Sequence, residues 1–162
     1  MTHNKLLLAG EMLVAASNSY KEASTDIDYI KCILLAGAVI NICYPLIEEL
    51  GGKSKQRSSA ELATFLMERS GNVFKGKQKA KQVSRFIGFS NFAYNSLKHT
   101  GDKTKDVLPS DDLYFESNLK IEAERIIIDA ISDFIGVPFS QSLINTHFSD
   151  DLLDLLSSNW PS

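Results

Sequence analysis

The chain has only two cysteines in 162 residues, with no Cys-x-x-Cys spacing between them. Cys32 and Cys43 fall on one predicted helix, where their separation is roughly 16 Å along the axis, whereas a disulfide needs Cα atoms within about 7 Å. Both are read as small buried hydrophobes in a reducing compartment. His3, His99 and His147 are too scattered for a zinc site, and His3 and His147 have no neighbours that suggest a role. No Gly-x-Gly-x-x-Gly and no P-loop is present, and Gly71 and Gly76 lie in a basic loop with no strand before it. There is no His-Glu-x-x-His, no Glu-x-x-His and no nucleophile elbow, so neither a metal nor a cofactor is expected. No secretory leader is expected either: the start is weakly basic, and Leu6-Leu7-Leu8 is interrupted by Gly10 and Glu11. The longest apolar run, residues 32–44, contains Asn41 and falls short of the roughly 20 residues that cross a bilayer. A cytoplasmic protein without a membrane segment is the expectation.

Apolar residues make up 44% and charged residues 23%, values of a globular chain able to bury a core without staples. One domain over residues 1–162 is expected, with its core at about 5–156. The net charge of −3 conceals a division along the chain. Residues 53–105 carry twelve basic against three acidic side chains, and residues 106–162 carry two basic against eleven acidic. Either opposed faces pair within the fold or across a dimer, or Lys53, Lys55, Arg57, Lys75, Lys77, Lys79 and Lys81, with Arg85 beyond them, form a patch that attracts a polyanion.

Apolar residues recur at helical spacing almost throughout, and nothing reads as a strand. A first helix over residues 5–22 would bury a stripe through Leu8, Met12, Ala15, Ala16 and Ser19. A second opens at Thr25-Asp26-Ile27-Asp28 and closes at Gly51-Gly52; apolar on nearly every face, it should be central and kinked at Pro45. Ser58-Ser59-Ala60-Glu61 reads as a capping box for a short helix ending at Gly71. A long helix is predicted over residues 77–100, basic at first and then apolar on two faces through Phe89 and Phe92. After a loop over 101–109, another is predicted from residue 110 to 135, with a stripe of Leu119, Ala123, Ile126, Ile127, Ala130 and Phe134. A last helix should cover residues 140–156, followed by a polar tail containing Trp160. Asp150, Asp151 and Asp154 are read as a solvated face.

Residues 95–101, Asn-Ser-Leu-Lys-His-Thr-Gly, end the long helix with a carboxamide and two cations. Lys98 and His99 before Gly101 describe a helix C-terminus, where cations meet unsatisfied carbonyls. Asn91, Asn95 and His99 also share one helical face, which suggests a ligand site lined by Asn91, Asn95, Lys98 and His99. A bundle whose long helix ends in Asn-x-Leu-Lys-His, followed by a polar loop and another long helix, resembles the HEPN superfamily. The motif is similar to an Asn-x-Phe/Leu-Lys-His signature of uncharacterised bacterial proteins with a HEPN-like bundle. Resemblance to active HEPN ribonucleases implies a metal-independent, dimeric enzyme whose His deprotonates a ribose 2′-hydroxyl while an Arg five to seven positions earlier steadies the phosphorane. Here those positions hold Tyr94, Ala93 and Phe92, and Arg85 lies further upstream.

The sequence therefore predicts an all-α, single-domain, up-and-down bundle of five to six helices, HEPN-like and homodimeric through residues 77–100. The favoured function is non-catalytic binding of a partner, RNA or nucleotide among the candidates, around Asn95, Lys98 and His99. The alternative is an endoribonuclease of toxin or defence type with His99 as base and Lys98 or Arg85 as cation. A third reading gives the charge blocks to assembly alone, with His99 only capping its helix.

Overall fold

The computed structural model describes residues 2–99, 110, 112–138, 148–158 and 160, and every regular element in the core among these is a helix. α1 spans Lys5–Glu22, α2 Asp26–Glu49, α3 Lys55–Arg69, α4 Lys77–Ser90, α5 Phe92–Lys98, α6 Leu119–Gly136 and α7 Asp150–Ser157. The all-α class follows the periodicity of the sequence.

α2 is the axis of the fold, packing most extensively against α6 and α1. Asp28 starts it: its carboxylate accepts from the Thr25 hydroxyl at 2.7 Å and the Thr25 N–H at 3.1 Å, with Lys31 3.3 Å away. The Thr25 hydroxyl, the Ser24 N–H and Lys31 together hold Asp28 down at about 2. The helix runs unbroken through Pro45 and ends at Gly51, whose φ of +78° suits the residue without a Cβ. Ile33, Val39, Ile40 and Cys43 of α2 pack with Leu13 and Ala16 of α1 and with Ala123, Ile126, Ile127, Ala130 and Phe134 of α6. Each such large apolar side chain contributes about 1.5–3 kcal/mol on burial, so this three-helix seam carries the stability. By length and composition α2 as a whole is apolar enough to cross a membrane, which the run at 32–44 alone did not suggest. Here it is the core helix.

α7 lies along α1, where Gly10 brings Leu152 so close that a Cβ would sit 2.6 Å from its Cδ2. α3 and α4 form a hairpin at the side of the core, touching α6 through α3, and α5 returns to α2.

Several expectations change. The buried face of α1 is Ala9, Gly10, Leu13, Ala16 and Ser17, while Leu8 and Ala15 are exposed, because the close approach at Gly10 sets the rotation of the helix. α3 starts at Lys55 with Ser54 as N-cap, not at the Ser58 box; Ser54 accepts from Arg57 N–H at 3.2 Å, and the Lys55 N–H finds an acceptor on α6. The long helix predicted over 77–100 breaks at Asn91, giving α4 and α5. α4 buries no residue, and Phe89 and Phe92 remain 67% and 45% exposed. α6 begins at Leu119, with Asn118 accepting from Ile121 N–H at 3.2 Å, because the apolar stripe itself begins there. α7 is confined to Asp150–Ser157 behind its Ser149 cap, and residues 139–147, like 100–109, lie outside the described residues. Trp160 belongs to no polar tail: its ring packs on Tyr20 with centroids 5.2 Å apart.

Candidate functional site

α5 is positioned by one aromatic side chain. Tyr94 is buried against Gly37 of α2, and its hydroxyl accepts from Asn41 Nδ2 at 2.9 Å. With Ala93 and Tyr94 turned inward, Asn95, Lys98 and His99 are exposed on the last turn. His99 ends the helix in an extended conformation, its N–H donating to the Asn95 carbonyl at 2.9 Å. The Lys98 ammonium lies 5.4 Å from the centre of the Tyr94 ring, a cation–π contact that steadies it at the surface. Asn95, Lys98 and His99 thus come together as the sequence suggests.

Asn91 does not join them. Its carboxamide pairs in both directions with that of Gln56, at 2.8 and 2.7 Å, across the α3 and α4–α5 junction. Gln56 is 4% exposed, so this pair satisfies two amides with little access to water. Arg125 of α6 donates to the Ser90 carbonyl at the same corner and to Glu122 at 2.6 Å, with Asp129 3.5 Å away. The carbonyl that Asn91 leaves at the end of α4 is therefore held from α6.

Beneath this corner is a polar seam that sequence reasoning missed. Asp133, 1% exposed, accepts from the first N–H of α3, that of Lys55, at 2.5 Å through Oδ1, while its Oδ2 is buried with no partner. Burial pushes the Asp133 carboxyl up to about 6; the Lys55 N–H opposes the rise, and the charge of Asp129 adds to it. Burial also raises Asp129, against the pull of Arg125, Gln56 and Lys55. A carboxyl enclosed to this degree meets no substrate, so its work is to join α6 to the start of α3. The signal was present as Arg125, Asp129 and Asp133, four apart on one face of an apolar helix.

The basic residues divide. Lys53 pairs with Glu61 at 2.6 Å, Arg57 with Glu48 and Glu61, and Lys79 with Glu68 at 2.8 Å. Lys55, Lys75, Lys77, Lys81 and Arg85 are exposed and, among the described residues, have no ion-pair partner. Lys77 and Ser90 stand about 20 Å apart along α4, and α5 then turns onto α2, so the early lysines and the His99 turn are separate surfaces. No three His, Cys, Asp or Glu side chains among the described residues are placed to hold a metal ion.

Compared with protein-family models, with curated proteins and with solved structures, the chain finds no match in any of the three.

Proposed function

We propose that the chain is a non-catalytic, HEPN-like helical protein of the cytoplasm, homodimeric, that binds an anionic partner, RNA or nucleotide, at the α5 end around Asn95, Lys98 and His99. The observation that carries the anionic partner is α4, a surface apart from the His99 turn: it is strongly amphipathic, buries no residue, and leaves Lys77, Lys81 and Arg85 without an ion-pair partner among the described residues, beside Lys75. A helix that rests its apolar side on a hairpin partner and offers unpaired cations outward can follow a phosphate backbone. The exposed Lys98, beside His99, adds a second cationic contact beyond the α4–α5 corner. Exposed Phe89 and Phe92 at that corner support the dimer.

Binding of single-stranded RNA, measured against salt, tests the proposal. Affinity should fall steeply with salt, and Lys77→Gln, Lys81→Gln and Arg85→Gln should flatten the log–log slope by about 0.7 for each phosphate that the variant no longer neutralises. No binding at low salt removes nucleic acid as the partner. The ribonuclease reading rests on an exposed His99 beside Lys98. Metal-free RNA cleavage that His99→Ala abolishes at an unchanged Tm would put it in place of the binding reading.

A further inference from the structure

The α3–α4 hairpin is attached to the rest of the protein without the hydrophobic core. Among the described residues, neither helix gives a side chain to the buried apolar cluster or rests a partly buried apolar side chain on it. α3 buries only Gln56, Ala60 and Thr64, and α4 buries nothing. The hold is polar instead. Arg57 pairs with Glu48 of α2, Arg125 of α6 donates to the Ser90 carbonyl, and Gln56 pairs with Asn91. Between them, Asp133 of α6 accepts from the Lys55 N–H at 2.5 Å. Both ends of the hairpin offer a pivot: Gly51, at a φ of +78°, precedes it with Gly52, and the helix break at Asn91 follows it.

Asp133 is the weak point of this attachment. It is 1% exposed; Oδ1 has one backbone donor, and Oδ2 is enclosed with no partner. A neutral carboxyl tolerates such enclosure far better than a carboxylate kept from water. The described titratable groups that face it do not relieve the charge. Asp129 along α6 adds to it, Cys43 of α2 is a buried thiol, and the exposed Lys55 ammonium of α3 opposes it only from the surface. Arg125 is engaged by Glu122 at 2.6 Å and by Asp129 at 3.5 Å.

We propose that protonation of the buried Asp133 latches the α3–α4 hairpin onto the body of the protein, and that its ionisation loosens the hairpin about Gly51-Gly52 and Asn91. Once charged, Asp133 reaches water when the start of α3 lifts from α6. The polar contacts around it resist this less than an apolar seam would, because each can be remade with solvent. Burial sets the carboxyl at about 6 in the closed state, against about 3.9 when solvated. Closure is therefore fully favoured below about pH 4, weakens as pH rises to about 6 and stays weaker above that. The latch holds whatever α4 binds, and it sets how firmly Lys77, Lys81 and Arg85 are presented.

Native-state amide exchange of the full chain in low urea tests it, with intrinsic rates divided out. Amides of α3 and α4 should share one opening that exposes less surface, and so depends less on urea, than the opening that frees α2 and α6. Protection in the hairpin should fall at least about tenfold between about pH 4.5 and about pH 7.5. Asp133→Asn keeps an acceptor for the Lys55 N–H and should remove that fall. Lys55→Pro removes the donor at the first position of α3, where proline suits a helix and the extended Ser54, at ψ 159°, suits a following proline. It should open the hairpin further at about pH 7.5. Hairpin amides that exchange only with the core, a protection that ignores pH, an Asn variant that keeps the parent's pH dependence, or a Pro variant that opens no more than the parent would each overturn the proposal.

Discussion

The ring of Tyr94 rests on the backbone of Gly37, so closely that a Cβ on that glycine would run into Cγ, Cδ2 and Cε2. Through this one contact α5 is seated on the core, and with it the turn that exposes Lys98 and His99. Replacing a helical glycine by alanine ordinarily stabilises a protein by about 0.4–1 kcal/mol. At this position the sign should reverse. Gly37→Ala should lower stability by about 1–3 kcal/mol in urea unfolding, and amide exchange should accelerate in α5 before the rest of the bundle. A more stable Gly37→Ala protein would refute the packing.

The two asparagines of the α5 region should separate cleanly. Asn91→Ala strands the buried Gln56 carboxamide and should cost about 1–3 kcal/mol. Asn95→Ala, at an exposed position, should stay within about 0.5 kcal/mol of the parent, so that any weakening of RNA binding in it reports on the surface and not on the fold. Equal stabilities for the two variants would contradict the Gln56–Asn91 pair.

Stability should depend on pH with two opposite slopes. Asp133 titrates near 3.9 in an unfolded chain and at about 6 in the fold. Between those values the folded state holds the extra proton, so stability falls as pH rises from about 4 to about 6 and stays lower above that. Asp28, at about 2 in the fold, runs the other way: its contribution is present above about pH 4 and is lost as pH falls toward 2. The groups facing Asp133 are Asp129 along α6, itself paired with Arg125, Lys55 of α3 and Cys43 of α2. Asp133→Asn keeps an acceptor for the Lys55 N–H and removes the charge, so it should flatten the slope between pH 4 and 6 and raise Tm at pH 7.5. Asp133→Ala should flatten the slope without that gain. An Asn variant that melts earlier at pH 7.5 with the slope intact would refute the assignment.

Both thiols should be silent in the native protein. Burial pushes Cys43 up to about 12, with the charge of Asp133 adding to it, and pushes Cys32 up to about 11. An accessible thiol with a pKa near 8.5 reacts readily at pH 8; neither of these should react with a disulfide reagent until the chain is unfolded, when two thiols should titrate together. Fast labelling of either in the folded protein would mean that α2 is less enclosed than described.

Phe89 tests the proposed dimer. Phe89→Asp leaves the core untouched, since the ring is already largely exposed. Sedimentation should change from dimer to monomer with Tm little altered. A dimer that survives the change would place the interface elsewhere.

The sequence alone determined the helical class, the central place of α2, the Asp28 start and glycine stop of that helix, and the buried stripe of α6. Each is a local property, settled by residues within one or two turns: apolar spacing, a capping side chain, a residue able to take positive φ. It also brought Asn95, Lys98 and His99 to one helix end. Only the tertiary structure decided where α3 begins, why the helix after Gly76 breaks at Asn91, and that Asn91 faces inward. Those outcomes depend on partners 35 residues away in sequence for Asn91 with Gln56 and 78 away for Lys55 with Asp133. A polar side chain on an apolar helix has the same local pattern whether it meets solvent, a ligand or a distant backbone group, and packing alone chooses among them.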